Sequence, residues 1–318
     1  MKRTILLSIL LSTSLMSCRQ NALFVNKKVF CFDTMVDIKL YDGNNEDALN
    51  ISRLLNYYHQ LTDRYESSQY QNPYSINKTN DEVTIEESLY NLLKASVDVK
   101  NEGAIYFNPL CGSLSDEWKF TLKKQQIPAE NVINYYLEQL NSSSILFKED
   151  NVIQRLGQAE IDLGGIAKGY ALDRVQDYLI EHNRASYIVD AGSSSILLGK
   201  KPTKDGFYTV GLKDVDGAYI KMKNCFVSTS SKSVQGVEID GITYSHIINP
   251  ITGSAINEND AVIVISDKGY YGDVMSTSMM MNTIDEIKEI EKEHNIQTIV
   301  IRDNKIVYKN EGIEVYYH

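Results

Sequence analysis

Cysteine is scarce in this chain. There are four in 318 residues, and none are spaced as pairs of metal ligands, which excludes a zinc knuckle or a cysteine-held cluster. Positive charge is also in deficit: 32 Lys and Arg against 42 Asp and Glu give a formal net charge of −10, which argues against nucleic acid as a partner. No basic amphipathic helix is evident that would lie on anionic lipid. No stretch is long, polar and low enough in complexity to be a domain linker, and no internal repeat is visible. The apolar run in MKRTILLSILLSTSLMSC is too short for a comfortable membrane span.

At 43% apolar, the chain is globular and long enough to bury one large core or two smaller ones. Its first residues read as a secretion signal: Lys2 and Arg3, then the apolar run, then small residues before Cys18. Removing the signal takes the formal charge from −10 to −12, because both of those basic residues leave with it. Leu15, Met16, Ser17 and Cys18 resemble the lipobox of bacterial lipoproteins, the alternative being an ordinary secretory signal with a chance cysteine. That resemblance implies a signal peptide over 1–17, diacylation of the Cys18 sulfur and a tether over 18–27. One domain then spans 28–318, anchored by its lipid to the extracytoplasmic face of the cell membrane. Cys31, Cys111 and Cys225 sit in apolar or glycine-flanked contexts that suit buried thiols and receive no function.

Along the chain, helical and strand periods interleave in the manner of an α+β domain. Strands are expected at 29–41, 83–85, 186–189, 207–212, 218–222, 225–230 and 261–266, and hairpins over 144–158 and 298–308. Helices are expected at 46–64, 87–102, 130–140, after Lys168, after Gly269 and at 285–294. Trp118, the sole tryptophan, reads as core.

The segment around which these elements are arranged is IDLGGIAKGYALDR, Ile161 to Arg174. Asp162 closes a short apolar run. Gly164 and Gly165 then remove the Cβ atoms that would keep an anion from the backbone, and a helix N-terminus follows whose N–H groups would face the anion. Lys168 adds a mobile positive charge. This is not a triphosphate P-loop: the lysine precedes the last glycine, and Tyr170 stands where Ser or Thr would hold Mg²⁺. A lone motif of this kind is more often a plain strand-to-helix turn with a solvated lysine.

Two later segments add chemistry. In YSHIINPITG, His246 ends a β-rich run beside a Pro and Gly turn, at an edge where a ligand reaches it and where a neutral imidazole accepts a proton. In GYYGDVMSTSMMM, Asp273 and Thr277 are four residues apart, so a helix turns a carboxylate and a hydroxyl toward one point. Oxygen donors of this kind suit a hard cation, and Mg²⁺ in phosphate sites takes only one or two of its ligands from protein side chains. Taken singly, each has a plainer reading as a structural histidine or a helix N-terminal charge.

DLGGIAKGYALD, YSHIINPITG and the Asp-x-x-x-Thr pair, in this order, resemble the signature segments of the FAD:protein FMN transferases, the ApbE-type lipoproteins. The similarity implies a single ApbE-like, T-fold-related α+β domain of mixed and antiparallel sheets flanked by helices. It implies an enzyme that binds FAD with Mg²⁺ and transfers the FMN moiety to a Thr or Ser of an acceptor protein, releasing AMP. Flavin contacts would then fall on Phe32 in the FDT element, on Tyr65 after the first helix, and on Tyr106, Phe107 and Asn108 in AIYFNPLCG. Asp162, Lys168, His246 and Ile247 would complete the FAD site. The metal would rest on Gly165 through its carbonyl, on Asp273 and on Thr277, with His246 as the base. The chain departs from the family at Asn108, at Ser193 in place of a second glycine, at Ser231 and at Asn249 in place of Asp. Ser193, Ser231 and Asn249 leave open an FAD-binding lipoprotein without transferase activity, or a Mg²⁺-dependent pyrophosphatase giving FMN and AMP.

Overall fold

The structure is a computed structural model and describes residues 24–318. Cys18, the signal and most of the expected tether therefore lie outside the described residues. The chain opens with β1 (Val25–Cys31), β2 (Thr34–Leu40), α1 (Asn45–Thr62), α2 (Pro73–Ile76), β3 (Glu82–Thr84), α3 (Glu87–Asn101), α4 (Gly112–Leu122) and α5 (Glu130–Asn141). It continues through β4 (Ser144–Phe147), β5 (Val152–Leu156), α6 (Ala167–Glu181), β6 (Tyr187–Ala191), β7 (Ser195–Leu198), β8 (Tyr208–Gly211), β9 (Ala218–Met222) and β10 (Cys225–Ser231). It closes with β11 (Val237–Ile239), β12 (Ile242–Tyr244), β13 (Ala261–Ser266), α7 (Gly269–Met279), α8 (Ile284–Glu293), β14 (Gln297–Arg302), β15 (Lys305–Lys309) and β16 (Val315–Tyr317).

Eight strands form one antiparallel sheet in the order β1-β2-β6-β7-β10-β13-β14-β15. Its central strands are buried on both faces, because strand side chains alternate and each parity meets a different layer. In β10 and β13, Phe226, Val262 and Val264 join the core shared with helices α1, α6 and α7. Val227, Ala261, Ile263 and Ile265 join a second core, against the small sheet β16-β9-β8. On the helix side, α1 begins with a capping box between Asn44 and Asp47 and buries Ala48, Ile51, Leu55, Tyr58 and Leu61 along one face. A third cluster packs Leu114, Trp118 and Leu122 of α4 against Tyr244, Ile248 and Ala255.

Two expectations are corrected at the N-terminal edge. The stretch read as one strand over 29–41 is a hairpin whose turn residues, Phe32 and Asp33, take left-handed conformations with φ of 53° and 55°. Neither is Gly or Asn, so the turn carries no compositional mark. The strand begins at Val25, so residues 25–27 of the expected tether pair in the sheet with Leu40, Lys39 and Ile38. Helix α4 and strands β7, β11, β12 and β16 were also not foreseen.

Candidate active site

Helices α6 and α7 cross at their first turns, glycine against glycine. A Cβ on Gly169 would stand 2.1 Å from the carbonyl oxygen of Gly269, and one on Gly269 would stand 2.4 Å from that of Gly169. The close approach lets the helices exchange carboxylates. Asp173 of α6 accepts hydrogen bonds from the N–H groups of Gly269 (2.8 Å) and Tyr270 (2.9 Å), capping α7. Asp273 of α7 in return accepts from the Gly169 N–H at 2.7 Å.

Asp273 is buried beneath this crossing and has no ion-pair partner among the described residues. Its Oδ1 accepts from Ser228 Oγ at 2.7 Å and from Ser195 Oγ at 2.8 Å, and its Oδ2 lies 3.0 Å from Ser195 Oγ. Burial pushes its carboxyl above the usual carboxylate range, while Lys168, the two hydroxyls and the Gly169 N–H pull it back. One turn on, Thr277 Oγ1 donates to the Asp273 carbonyl at 2.9 Å, leaving its lone pairs available to a ligand. Ser230 adds another hydroxyl, 3.3 Å from Thr277 Oγ1. The glycine loop lies alongside: a Cβ on Gly165 would be 3.7 Å from Thr277 Oγ1 and 3.1 Å from the buried Phe107 ring.

Lys168 stands in the first turn of α6, and its charge acts on two groups. It lowers Asp273, and it adds to the loss of hydration that pushes His246 down from 6.5 to about 4. The residue is solvent-exposed, so water at the ring opposes part of that downward shift. His246 is therefore the neutral imidazole of the cleft at ordinary pH. Its segment is fixed from below. Trp118 Nε1 donates to the Gly253 carbonyl at 2.8 Å and the indole stacks on Tyr244, while Asn249 Oδ1 accepts from the N–H groups of Ile251 (2.8 Å) and Thr252 (3.1 Å). An amide oxygen serves that turn as a carboxylate would, so Asn249 keeps the local shape.

A second pole lies at the other end of the glycine loop. Arg64, with its side chain only 5% exposed, bonds to Asp116 (2.9 Å), Glu160 (2.7 Å), Asp162 (3.2 Å) and the Gly112 carbonyl (3.1 Å). Asp162 is thus engaged by Arg64, and it also accepts from the Gly164 N–H at 2.8 Å, which shapes the loop. Tyr65 is 52% exposed, with its hydroxyl on Asp116 at 3.2 Å and Lys119 Nζ 4.8 Å from its ring centre.

The structure sets Gly165 against Phe107 and Thr277, puts Asp273 on the Gly169 N–H next to Lys168, whose charge reaches both Asp273 and His246, and ties Asp162 and Tyr65 together through Arg64. Tyr106 approaches α7, its N–H donating to Ser278 Oγ at 3.2 Å. Asn108 Oδ1 accepts from the Leu110 N–H at 3.0 Å, and Ile247 is buried with its N–H on Ser245 Oγ. Phe32 stands apart at the hairpin turn, its N–H on His59 Nδ1 at 3.2 Å. One expectation changes: α6 begins at Ala167, and the N–H groups of Ala167, Gly169 and Tyr170 bond to Leu163, Asp273 and Ile166. The N–H groups of Ala167 and Gly169 are thus already used, which leaves the Lys168 charge as the main attraction for an anion. Ser195, Ser228, Ser230 and Arg64 were missed. The serines' one signal is small polar residues inside otherwise apolar strands.

Fold and site together define a single-domain α+β protein with an oxygen-lined cradle beside a glycine loop and a neutral histidine. The ApbE family pattern matches residues 32–300, and the chain belongs to the ApbE family. It is 27% identical over 251 residues to a protein of Klebsiella pneumoniae strain 342 named FAD:protein FMN transferase, covering 76% of this chain and 77% of that one. A Treponema pallidum protein of the same name is 26% identical over 217 residues; the match spans 62% of this chain and 60% of the relative's length. Among solved structures, the ApbE protein of Thermotoga maritima superposes with a TM-score of 0.76 at 23% identity, covering 93% of this chain and 97% of that one. The flavin transferase ApbE of Vibrio cholerae gives 0.75 at 20% identity, covering 91% and 98%. These likenesses show the same α+β fold.

Proposed function

We propose that this protein is a Mg²⁺-dependent FAD:protein FMN transferase, moving the FMN moiety of FAD onto a Thr or Ser hydroxyl of an acceptor protein and releasing AMP. The observation that carries the reading is that the buried Asp273 carboxylate, held by the Gly169 N–H and two serine hydroxyls, lies one helical turn from Thr277, whose Oγ1 would stand 3.7 Å from a Cβ on Gly165 of the glycine loop, in a chain of this family. The residues fit Mg²⁺: the donors are hard oxygens, and Asp273 is a buried carboxylate without an ion pair, a charge that a cation would compensate. Asp273, Thr277 and the Gly165 carbonyl would hold the ion, which would neutralise pyrophosphate charge.

Lys168 holds the pyrophosphate against the glycine loop. His246 takes the proton of the acceptor hydroxyl as its oxygen attacks the FMN phosphorus, and the bond to the bridging oxygen breaks so that AMP leaves with that oxygen. The work of the chain is positioning and charge neutralisation. Tyr65, Phe32 and the Tyr106–Asn108 segment are proposed to contact the flavin, with Ile247 as a side-chain contact beside His246. The protein is further proposed to work outside the cytoplasm, anchored to the membrane through lipid on Cys18; Cys18→Ala should move it from the membrane to the soluble fraction.

Protein lacking residues 1–18, given FAD, Mg²⁺ and a candidate acceptor, tests the reading. Covalent flavin fluorescence on the acceptor in a denaturing gel is the expected result. AMP release without labelled acceptor would replace transfer with hydrolysis, and FAD binding with neither would replace it with storage.

A further inference from the structure

We infer that Ser195 and Ser228 are positioning residues of the proposed Mg²⁺ site, a cross-strand serine pair that fixes the plane of the Asp273 carboxylate. This rests on the function proposed above. Register places the two directly opposite each other on β7 and β10. Parity turns both toward the helix layer, alongside Leu197 and Phe226, which are apolar and fully buried. The serines are themselves buried, at 2% and 1% exposure, in the middle of the large sheet. Hydroxyls there are costly unless bonded, and both donate to one carboxylate.

The approach is built from the other side too. A Cβ on Gly272 would stand 2.8 Å from Ser228 Oγ and 2.7 Å from Ser266 Oγ, so only a glycine lets α7 lie this close to the sheet. With the Gly169 N–H on Oδ2 and both serines on Oδ1, the carboxylate cannot rotate. Its plane is set before any cation arrives. Partners of this kind around metal ligands hold ligand geometry, and losing one typically costs about 10- to 100-fold in metal affinity.

Mn²⁺ is the probe: free ion counted by electron paramagnetic resonance during titration of the protein with FAD present and acceptor absent. Each of Ser195→Ala and Ser228→Ala should weaken Mn²⁺ binding about tenfold, and the double variant by toward a hundredfold. FAD affinity in chelator should stay within about twofold of wild type, since hydroxyls buried under α7 do not touch the flavin. Ser228→Cys, close in shape but a weak donor, should fall between wild type and Ser228→Ala and decides the matter if the double variant does not fold. Folded serine variants that bind Mn²⁺ like wild type, whatever their metal-free melting temperature, would overturn the pair's role and leave the function standing. Wild type that binds FAD but no Mn²⁺ would overturn both.

Discussion

The two poles of the glycine loop handle negative charge in opposite ways. At one, Arg64 meets three carboxylates, all partly exposed, and the chain supplies the compensating cation itself. At the other, a single buried carboxylate, Asp273, receives only neutral donors. The first arrangement holds the loop, α4 and Tyr65 together. The second has no ion-paired cation among the described residues, and only the charge of Lys168 acts on it. Neutral donors alone do not mark a site, since Asp173 is also buried, receives only the N–H groups of Gly269 and Tyr270, and serves as a cap.

The sharpest way to break that contrast is Asp273→Ala. It should abolish Mg²⁺-dependent turnover while the protein still folds, with a lower melting temperature because the Gly169 N–H and the Ser195 and Ser228 hydroxyls lose their acceptor. Thr277→Val should do less, since water replaces a neutral hydroxyl. Turnover at limiting Mg²⁺ measures both, and wild-type behaviour of Asp273→Ala would remove the metal assignment.

His246→Ala should cost about a hundredfold or more in transfer rate with little change in FAD affinity, as positioned bases contribute. The imidazole must be neutral to act, and its pKa is pushed down, so the wild-type rate should persist below pH 6.5 and fall only as pH drops toward about 4. Lys168→Met removes the positive charge that adds to this shift, so the acid limb of the rate profile should move up. A limb that stays in place would separate Lys168 from His246.

Arg64→Ala acts on the other pole and should show mainly in stability. Removing the cation from three carboxylates that keep some water should cost about 2 kcal/mol, read from denaturant unfolding, with Mg²⁺ dependence unchanged. The smallest effect is expected at the hairpin after β6, where Ser193 takes φ 63° beside Gly192 at φ 69°. Only the Ser193 backbone N–H is bonded there, at 2.6 Å to Asp190 Oδ1, so Ser193→Gly should relieve strain and stabilise by about 1 kcal/mol. A lower melting temperature for that variant would refute the account.

What could be read from sequence follows from locality. Asp273 and Thr277 share a helix face because they are four apart, and the burial of Trp118 follows from its apolar neighbours. The Ser195–Ser228 pairing joins residues whose adjacency depends on sheet order, and short β7 gives no periodic signal of its own. Arg64 is invisible for the same reason, its carboxylates lying 52 to 98 residues away. The β1–β2 turn was lost because Phe32 and Asp33 adopt conformations that Gly or Asn usually supply.

The crossing of α6 on α7 also restricts how this sequence can drift. Gly169 and Gly269 each exclude a side chain from the other's backbone, at 2.1 Å and 2.4 Å, so neither can change first and a change in one cannot rescue a change in the other. Two positions a hundred residues apart are bound into one constraint that would leave no trace as paired variation, since neither partner is free to vary.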